Sequence, residues 1–415
     1  MPLRESTAAP IVMASDLAAL EPGSPLARVL WEVWSGTPVT IVPSPPGAGK
    51  TTLLVDLVAH LYLRAGIHIV IATPTNRGGA DVAGRLARKI GMGPDGNPRV
   101  NVPGDRMRTF LDEESLPFIA DRSGAGIEVV TVAGLASRDI KDPRLMILDE
   151  GWQTTFADLA RAADPFEQMV MVGDPGQIGP VVTVPTRAWE GNRFAPHVPA
   201  PAAFLRRPDA VQVHLPHTYR LGDQGVSIVA PLYSFTFDSK RPMRWLDMPD
   251  GHTLDEVSHL NLGAADDPFD PGMLADVARH ARSFLGARFM REGRPVEVLD
   301  GSDIAVVVSR NAQRAVLQAQ LGEDGITVGT ADSLQGGQWP AVIALDPLIG
   351  YTTATPFALS PGRLCVMLSR QMAHVTWIHG DGWAEAAADV DLAADELAKG
   401  MAVRENLMGT EELVS

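Results

Sequence analysis

Eight residues near the start of the chain, Ser44-Pro45-Pro46-Gly47-Ala48-Gly49-Lys50-Thr51, connect a short apolar run to a helical one. Glycines in such a loop let backbone N–H groups close around an anion, at a helix N-terminus whose dipole already favours one. Lys50 is placed to reach the β- and γ-phosphates of a nucleotide, and Thr51 to ligate magnesium. Pro46, Gly47, Ala48, Gly49, Lys50, Thr51 and Thr52 make up the expected cradle. Ser44 stands where these loops usually open with a glycine, and the tighter Gly47/Gly49 turn is intact. A second constellation follows at Leu145-Met146-Ile147-Leu148-Asp149-Glu150, where four apolar residues deliver two carboxylates to a strand end. Asp149 is expected in the magnesium shell and Glu150 beside the attacking water. Either motif alone has a bland reading, a Gly/Pro-rich turn or an acidic surface turn. Together and in this order they imply a nucleotide hydrolase that works with magnesium.

These groups need a sheet edge to stand on. Short Val/Ile-rich runs suit strands covered on both faces, and they occur at Val39–Val42, Ile67–Ala72, Ile127–Thr131, Leu145–Leu148 and Met169–Val172. A second set reads Val211–His214, Ile304–Val308, Ile326–Gly329, Val342–Leu345 and Val375–Ile378. With amphipathic helices between, the pattern is α/β with parallel sheets flanked by helices. The proline-interrupted stretch Arg193–Pro208 reads as the crossing between two domains. The expected division is an N-terminal segment 1–20, a first domain 21–205, a second 206–385 and an acidic C-terminal tail 386–415. In that tail a solvated helix Ala384–Lys399 is stopped by Gly400, and Leu221–Asp303 holds a helix at Met273–Phe289 without a large insert.

Composition narrows the class. With 45% apolar and 20% charged residues the chain reads as globular, and no apolar run approaches the ~18 residues of a membrane span. No secretory signal is recognised near Arg4, Glu5 and Asp16, and a cytoplasmic location is expected. Cys365 is the only cysteine, which excludes an intrachain disulfide and a cysteine-bound metal. A net charge of −15 argues against a generally basic surface, although a local positive channel is enough to hold nucleic acid.

Seven segments in order resemble the motifs of superfamily one helicases, above all the branch of RNA-surveillance helicases and their DNA relatives. Pro45–Thr51 resembles motif I, Ala72-Thr73-Pro74-Thr75-Asn76 motif Ia, Asp149–Gln153 motif II and Gly173-Asp174-Pro175-Gly176-Gln177 motif III. Thr218-Tyr219-Arg220 resembles motif IV, Thr330–Gly336 motif V and Leu368-Ser369-Arg370 motif VI. The resemblance runs from about Pro45 to Gly380 and implies two RecA-like P-loop domains with the ATP site in the interdomain cleft.

It also implies roles. Lys50, Glu150, Gln177, Arg220 and Arg370 would be catalytic, with Gln177 sensing the γ-phosphate and the two arginines neutralising it from the second domain. An arginine finger is worth ~10³–10⁵ in rate, whereas a lone arginine is ordinarily a surface ion-pair partner. Tyr219 would stack on adenine, and Gly336 and Gln338 would lie at the nucleotide sugar, Gln338 where the family usually has glutamate. Single-stranded nucleic acid, DNA ahead of RNA, would run over Thr73, Pro74, Thr75, Asn76 and Thr131 of the first domain. In the second it would meet Ser309, Arg310, Asn311, Thr330, Asp332 and Ser333. Trp339 has two readings, a stacking platform of ~1–3 kcal/mol per base or a half-buried packing residue.

The implied activity is ATP-driven translocation on a single strand, weakly suggested as 5′ to 3′. A protein partner would supply unwinding or targeting, because inserts that build wedges are short. No glutamine in Leu20–Thr40 reads the adenine edge, so ATP over GTP selectivity stays open. The alternatives are an ATP-gated switch or AAA-type remodeller acting on a protein, and a small-molecule P-loop kinase. Both lack a use for the second set of strands.

Overall fold

The computed structural model describes residues 12–121, 126–138, 144–163, 166–189, 191–192, 194–265, 267–351, 354–387 and 394–413. The chain divides into two units. The first is Met1–Ser44, Gly49–Pro175 and Gly179–Leu215; the second is Pro45–Ala48, Gly176–Ile178 and Pro216–Ser415. Part of the segment expected at 1–20, and the middle of the helix expected at Ala384–Lys399, lie outside the described residues.

The apolar runs of the first unit become β1 (Val39–Pro43), β2 (Ile69–Thr73), β3 (Val100–Asn101), β4 (Ile119–Ala120), β5 (Ile127–Thr131), β6 (Leu145–Leu148), β7 (Gln168–Gly173) and β8 (Ala210–Gln212). They form one sheet in the order β4-β3-β5-β2-β6-β7-β1-β8, with every pairing parallel. β1, β2 and β6 are buried along their whole length, as strands covered on both faces must be. The helix α1 (Pro25–Trp34) precedes β1 and is capped by Ser24, whose hydroxyl accepts from Ala27 N. Next, α2 (Lys50–Ala65) buries Leu54, Leu57, Val58 and Leu61 and ends at left-handed Gly66. The following helix, α3 (Asn76–Ile90), starts from Thr75, whose hydroxyl accepts from Gly78 N. Because the pairing is parallel, the ends of β1, β2, β5, β6 and β7 fall on one edge of the sheet.

The second unit contains β9 (His217–Thr218), β10 (Asp238–Ser239), β11 (Arg244–Asp247), β12 (Thr253–Leu254), β13 (Val257–Asn261), β14 (Arg288–Arg291), β15 (Glu297–Val298), β16 (Ile304–Val308), β17 (Thr327–Thr330), β18 (Trp339–Leu345), β19 (Gln371–His379) and β20 (Glu411–Glu412). Six of these make a parallel sheet, β17-β16-β18-β19-β13-β20. Two layers of apolar side chains cover it, one around Phe284, Leu317 and Ile343, the other around Leu364, Val366 and Trp377.

Five expectations need correcting. The strand expected at Val211–His214 joins the first sheet beside β1, so the division falls at 215/216 instead of 205/206. The proline-rich crossing is not wholly irregular: Ala200–Phe204 is a helix with Pro201 in its first turn, where a missing N–H costs nothing. The helix expected at Met273–Phe289 is Pro271–Ser283, and Phe289 lies instead on β14. Leu221–Asp303 does carry extra structure, the antiparallel sheet β12-β11-β14-β15, whose two- to four-residue strands are too short and charged to show periodicity.

Finally, the tail is not a solvated appendage. The helix Ala394–Met408 runs straight through Gly400, buries Val403 and Leu407, and leads to β20 on the sheet edge. Gly400 is a close approach instead of a stop, since a Cβ there would sit 3.2 Å from Leu359 O. Arg404, fully buried, bonds Asp346 at 3.1 Å. Such a pair adds little net stability but penalises any other register, because either charge left alone in the core is expensive.

The core also holds two neutral histidines. His280 Nε2 and His374 Nε2 lie 3.0 and 2.8 Å from the Thr376 hydroxyl, and His374 Nδ1 lies 2.6 Å from Asp255 O. These bonds fit one proton order: His280 N–H to Thr376 O, Thr376 O–H to His374 Nε2, His374 N–H to the carbonyl. Burial pushes both rings down to about 4. Since the unfolded chain takes up protons first, this share of stability is complete above pH ~6.5 and is lost as pH falls toward ~4. Urea midpoints measured across that range should fall with acid, and less steeply in His280→Gln. Equal slopes in the two proteins would show that the relay is not what acid attacks.

Candidate nucleotide site

The expected phosphate residues of the first unit do meet. β7 lies between β1 and β6, so the lysine loop and the acidic strand end flank the turn that follows β7. Ser44 is buried, and its hydroxyl donates to Val42 O at 3.0 Å and to Gly173 O at 3.3 Å, tying the loop's first residue to β7. Gly49 takes a left-handed conformation, φ 82°, and Lys50 starts α2 directly behind it. Thr51 and Thr52 occupy the first turn of that helix.

Lys50 Nζ lies 3.8 Å from Asp174 Oδ2, whose side chain is inaccessible to solvent. Asp149 is buried as well, its backbone N–H donating to Ala72 O at 3.0 Å. Its carboxyl is pushed up to about 7, first by burial and then by the neighbouring Glu150 charge, with Lys50 pulling the other way. Glu150 has φ 48°, the one positive φ among described non-glycine residues. Strain of this kind costs of order 1–3 kcal/mol and persists only where the surroundings impose it. Gly173 leaves room for this turn to pack on β7: a Cβ at that position would lie 2.9 Å from Gly151 N and 2.9 Å from the Trp152 ring.

These donors fit a magnesium ion. The Thr51 hydroxyl and the Asp149 carboxylate are hard oxygen ligands, and an ion held by one or two protein groups plus phosphate oxygens is the usual magnesium arrangement. Asp174 had no role in the sequence reading. A carboxylate directly after a strand was a visible signal, but its partnership with Lys50 depends on β7 lying beside β1.

Other expected residues meet within the second unit. Thr218 Oγ1 donates to Pro46 O at 2.6 Å and Tyr219 N donates to Gly47 O at 3.0 Å, leaving the Tyr219 side chain 54% exposed. Gly47 must be glycine, with φ 71° and Arg220 Cβ 2.2 Å from where its own Cβ would be. Arg220 Nη1 donates to Ser369 O at 3.0 Å. Next to it Arg370 is buried, Nε donating to Val366 O and Nη2 to Ser369 Oγ. Gln335 Nε2 donates to Gln177 Oε1 at 3.3 Å. Ala48 is buried in the same loop, and Gly336 and Gln338 lie exposed before β18.

Residues expected at nucleic acid lie at strand ends of their own units. Thr73 is buried, its hydroxyl donating to Thr75 O at 3.0 Å. Pro74 and Asn76 are half-buried beside exposed Thr75, and the Thr131 hydroxyl caps the helix Val132–Leu135. In the second unit Ser309 Oγ donates to Gln313 Oε1 at 3.3 Å, and Arg310 and Asn311 begin the helix Asn311–Leu321. Ser333 Oγ bonds the Thr330 backbone, with Asp332 exposed between them. Trp339 packs against the core and over Gly337, which favours the packing reading.

Residues 28–186 match the family model described as AAA domain. That stretch contains Lys50, Asp149, Glu150 and Asp174, so the match falls on the part of the chain that carries the lysine loop and the acidic strand end. No curated protein matches the chain. Among solved structures it is distantly similar to the helicase of PRRSV, with 18% identity and a TM-score of 0.45 over 86% of this chain and 54% of that one. It is also similar to arterivirus nonstructural protein 10, a helicase, solved as a complex with DNA: 18% identity, TM-score 0.47, 84% of this chain and 63% of that one. The chain thus spans 54–63% of the length of these proteins. Among the described residues no helix is long and apolar enough to cross a membrane.

The strain at Glu150 makes a prediction that separates chemistry from stability. Glu150→Gly should abolish hydrolysis while raising the unfolding free energy by up to about 1 kcal/mol, because glycine accepts the left-handed turn. A variant less stable than the parent would show that the turn is relaxed with glutamate in it.

Proposed function

We propose that the chain is an ATP-driven motor of the superfamily one helicase type, which hydrolyses ATP while holding single-stranded nucleic acid, DNA before RNA. The observation that carries this reading is the seating of Thr218-Tyr219-Arg220 on the Pro46–Gly47 backbone, with the Arg220 guanidinium on Ser369 next to Arg370. A kinase or a simple switch has no need of two neighbouring arginines, Arg220 and Arg370, tied to a segment that seats on the Pro46–Gly47 backbone. In the proposed cycle Lys50 and the loop N–H groups bind the β- and γ-phosphates, and Tyr219 offers its exposed ring to the base. Glu150 takes the proton of the attacking water, and Arg220 and Arg370 neutralise charge on the γ-phosphate. Thr51 and Asp149 would hold magnesium, which would supply further neutralisation of the phosphate oxygens. Contacts made to triphosphate and lost to diphosphate are the differential affinity that any such motor requires.

The expectation that unwinding is poor unless a partner supplies the wedge rested on short inserts at Gly91–Gly126 and Leu221–Asp303; the sheet β12-β11-β14-β15 removes that ground for the second segment alone.

Single-stranded DNA or RNA should accelerate ATP turnover by the full chain. Indifference to both would favour a switch acting on a protein. Lys50→Ala should eliminate turnover, while Arg370→Ala should slow it at least ~10³-fold with nucleotide binding largely retained. Since Arg370 is buried, Arg370→Lys serves as a folding control. A defect confined to nucleotide affinity would assign Arg370 to binding instead of transition-state stabilisation.

A further inference from the structure

One cluster at the C-terminal edge of the second sheet takes no part in the proposed ATP chemistry. Arg310 follows β16, Asp332 follows β17, and Phe357 lies on the connection that leaves β18. β17, β16 and β18 are adjacent parallel strands, so all three emerge on the same edge. That is the edge at which open α/β sheets take ligands. The Arg363 guanidinium carbon lies 3.9 Å from the Phe357 ring centre, and that of Arg310 lies 4.6 Å from it. Arg363 Nε is 3.5 Å from Asp332 Oδ2, and both Arg363 Nε and Arg310 Nε are buried without a hydrogen-bond partner among the described residues.

Two guanidiniums share one half-buried ring, and among the described residues only Arg363 of the two is ion-paired, in a chain whose net charge is −15. The ring faces attract both cations by about 0.5–2 kcal/mol each but do nothing for their mutual repulsion. An anion in contact with both would reduce it. A guanidinium held against a ring keeps N–H groups for a phosphate, which it can bind in the bidentate manner lysine cannot reproduce.

We infer that Arg310 and Arg363, held in place by Phe357, form a clamp for one phosphodiester group of the bound single strand. The inference rests on the motor reading above and extends its nucleic-acid face from Arg310, Thr330 and Ser333 to Phe357 and Arg363. Phe357 is a positioning residue and the two arginines are the contacts.

The test is the affinity of the full chain for fluorescein-labelled oligothymidylate and oligouridylate, measured across a salt series. Arg310→Gln and Arg363→Gln should each weaken binding about tenfold, the scale of one charge-assisted hydrogen bond. Each should also reduce the salt slope by about 0.7, the single-strand value per phosphate contact. Arg363→Lys, which keeps the charge and guards against misfolding, should keep the slope but lose affinity. Phe357→Leu should weaken binding several-fold with an unchanged slope. Arg279→Gln removes an arginine that is 76% exposed and paired with Asp276 elsewhere on this unit, and should change neither quantity. If the glutamine variants bind with the parent's affinity and slope, the clamp is wrong and the motor reading stands. If the parent chain binds neither strand at low salt, both fall.

Discussion

Two carboxylates end adjacent strands inside the first unit, and one ammonium makes that tolerable. Asp149 and Asp174 are both buried, and unpaired burial of a charge costs several kcal/mol. Lys50 lies within ion-pair distance of Asp174 and acts electrostatically on Asp149. The pairing is incomplete, because burial first and the neighbouring Glu150 charge second push the Asp149 carboxyl up to about 7. A site with this excess of buried negative charge is poised for cations. A nucleotide bound as proposed would make Lys50 divide its attraction between Asp174 and the phosphates, and a divalent ion would relieve the repulsion between Asp149 and Glu150.

The backbone around that charge cluster is arranged to keep it rigid. β7 sits between the strand that leads into the lysine loop and the strand that ends in acids, and its last residue, Gly173, receives the Ser44 N–H. The lack of a side chain at Gly173 lets the Glu150–Trp152 turn pack directly on it, and the resulting crowding holds Glu150 in a conformation it would not choose. Packing therefore sets the backbone from which the Glu150 side chain projects, and a freely rotating loop does not. Ser44 in place of the usual glycine fits the same logic. Its hydroxyl bonds within the fold, so the loop entrance is pinned where a glycine would leave it free.

Much of this was legible from residue order, for a physical reason. Fully buried parallel strands leave unbroken apolar runs, and the loops that follow them carry the chemistry, so β1, β6 and β7 and their terminal residues stood out. What stayed hidden depends on neighbours in space. Asp174 is an ordinary strand-ending acid until β7 is seen beside β1. β13, with Ser258, His259 and Asn261 among its five residues, has too little apolar character to register, yet it lies inside the second sheet. The antiparallel strands around Trp245 and Phe289 are held by cross-strand pairing instead of their own patterning. In the final helix Gly400 reads locally as a terminator, and only the approach of Leu359 explains why a glycine belongs mid-helix.

The net charge of −15 places a limit on how the chain can hold a polyanion. Screening confines exposed charges to a range of about 8–10 Å in ordinary salt, so the overall negative field repels a strand only until it is close. Within that range local groups decide, and they must be concentrated and correctly oriented because no broad basic surface assists them. Guanidiniums stacked on a ring and backbone N–H groups at strand ends meet that demand, since both are oriented before the ligand arrives and lose little entropy on binding. An acidic chain of this kind would gain discrimination as well as affinity. Polyanions that fail to reach the edge of the second sheet would meet mostly repulsion, while a strand threaded along that edge would find its phosphates opposite fixed donors.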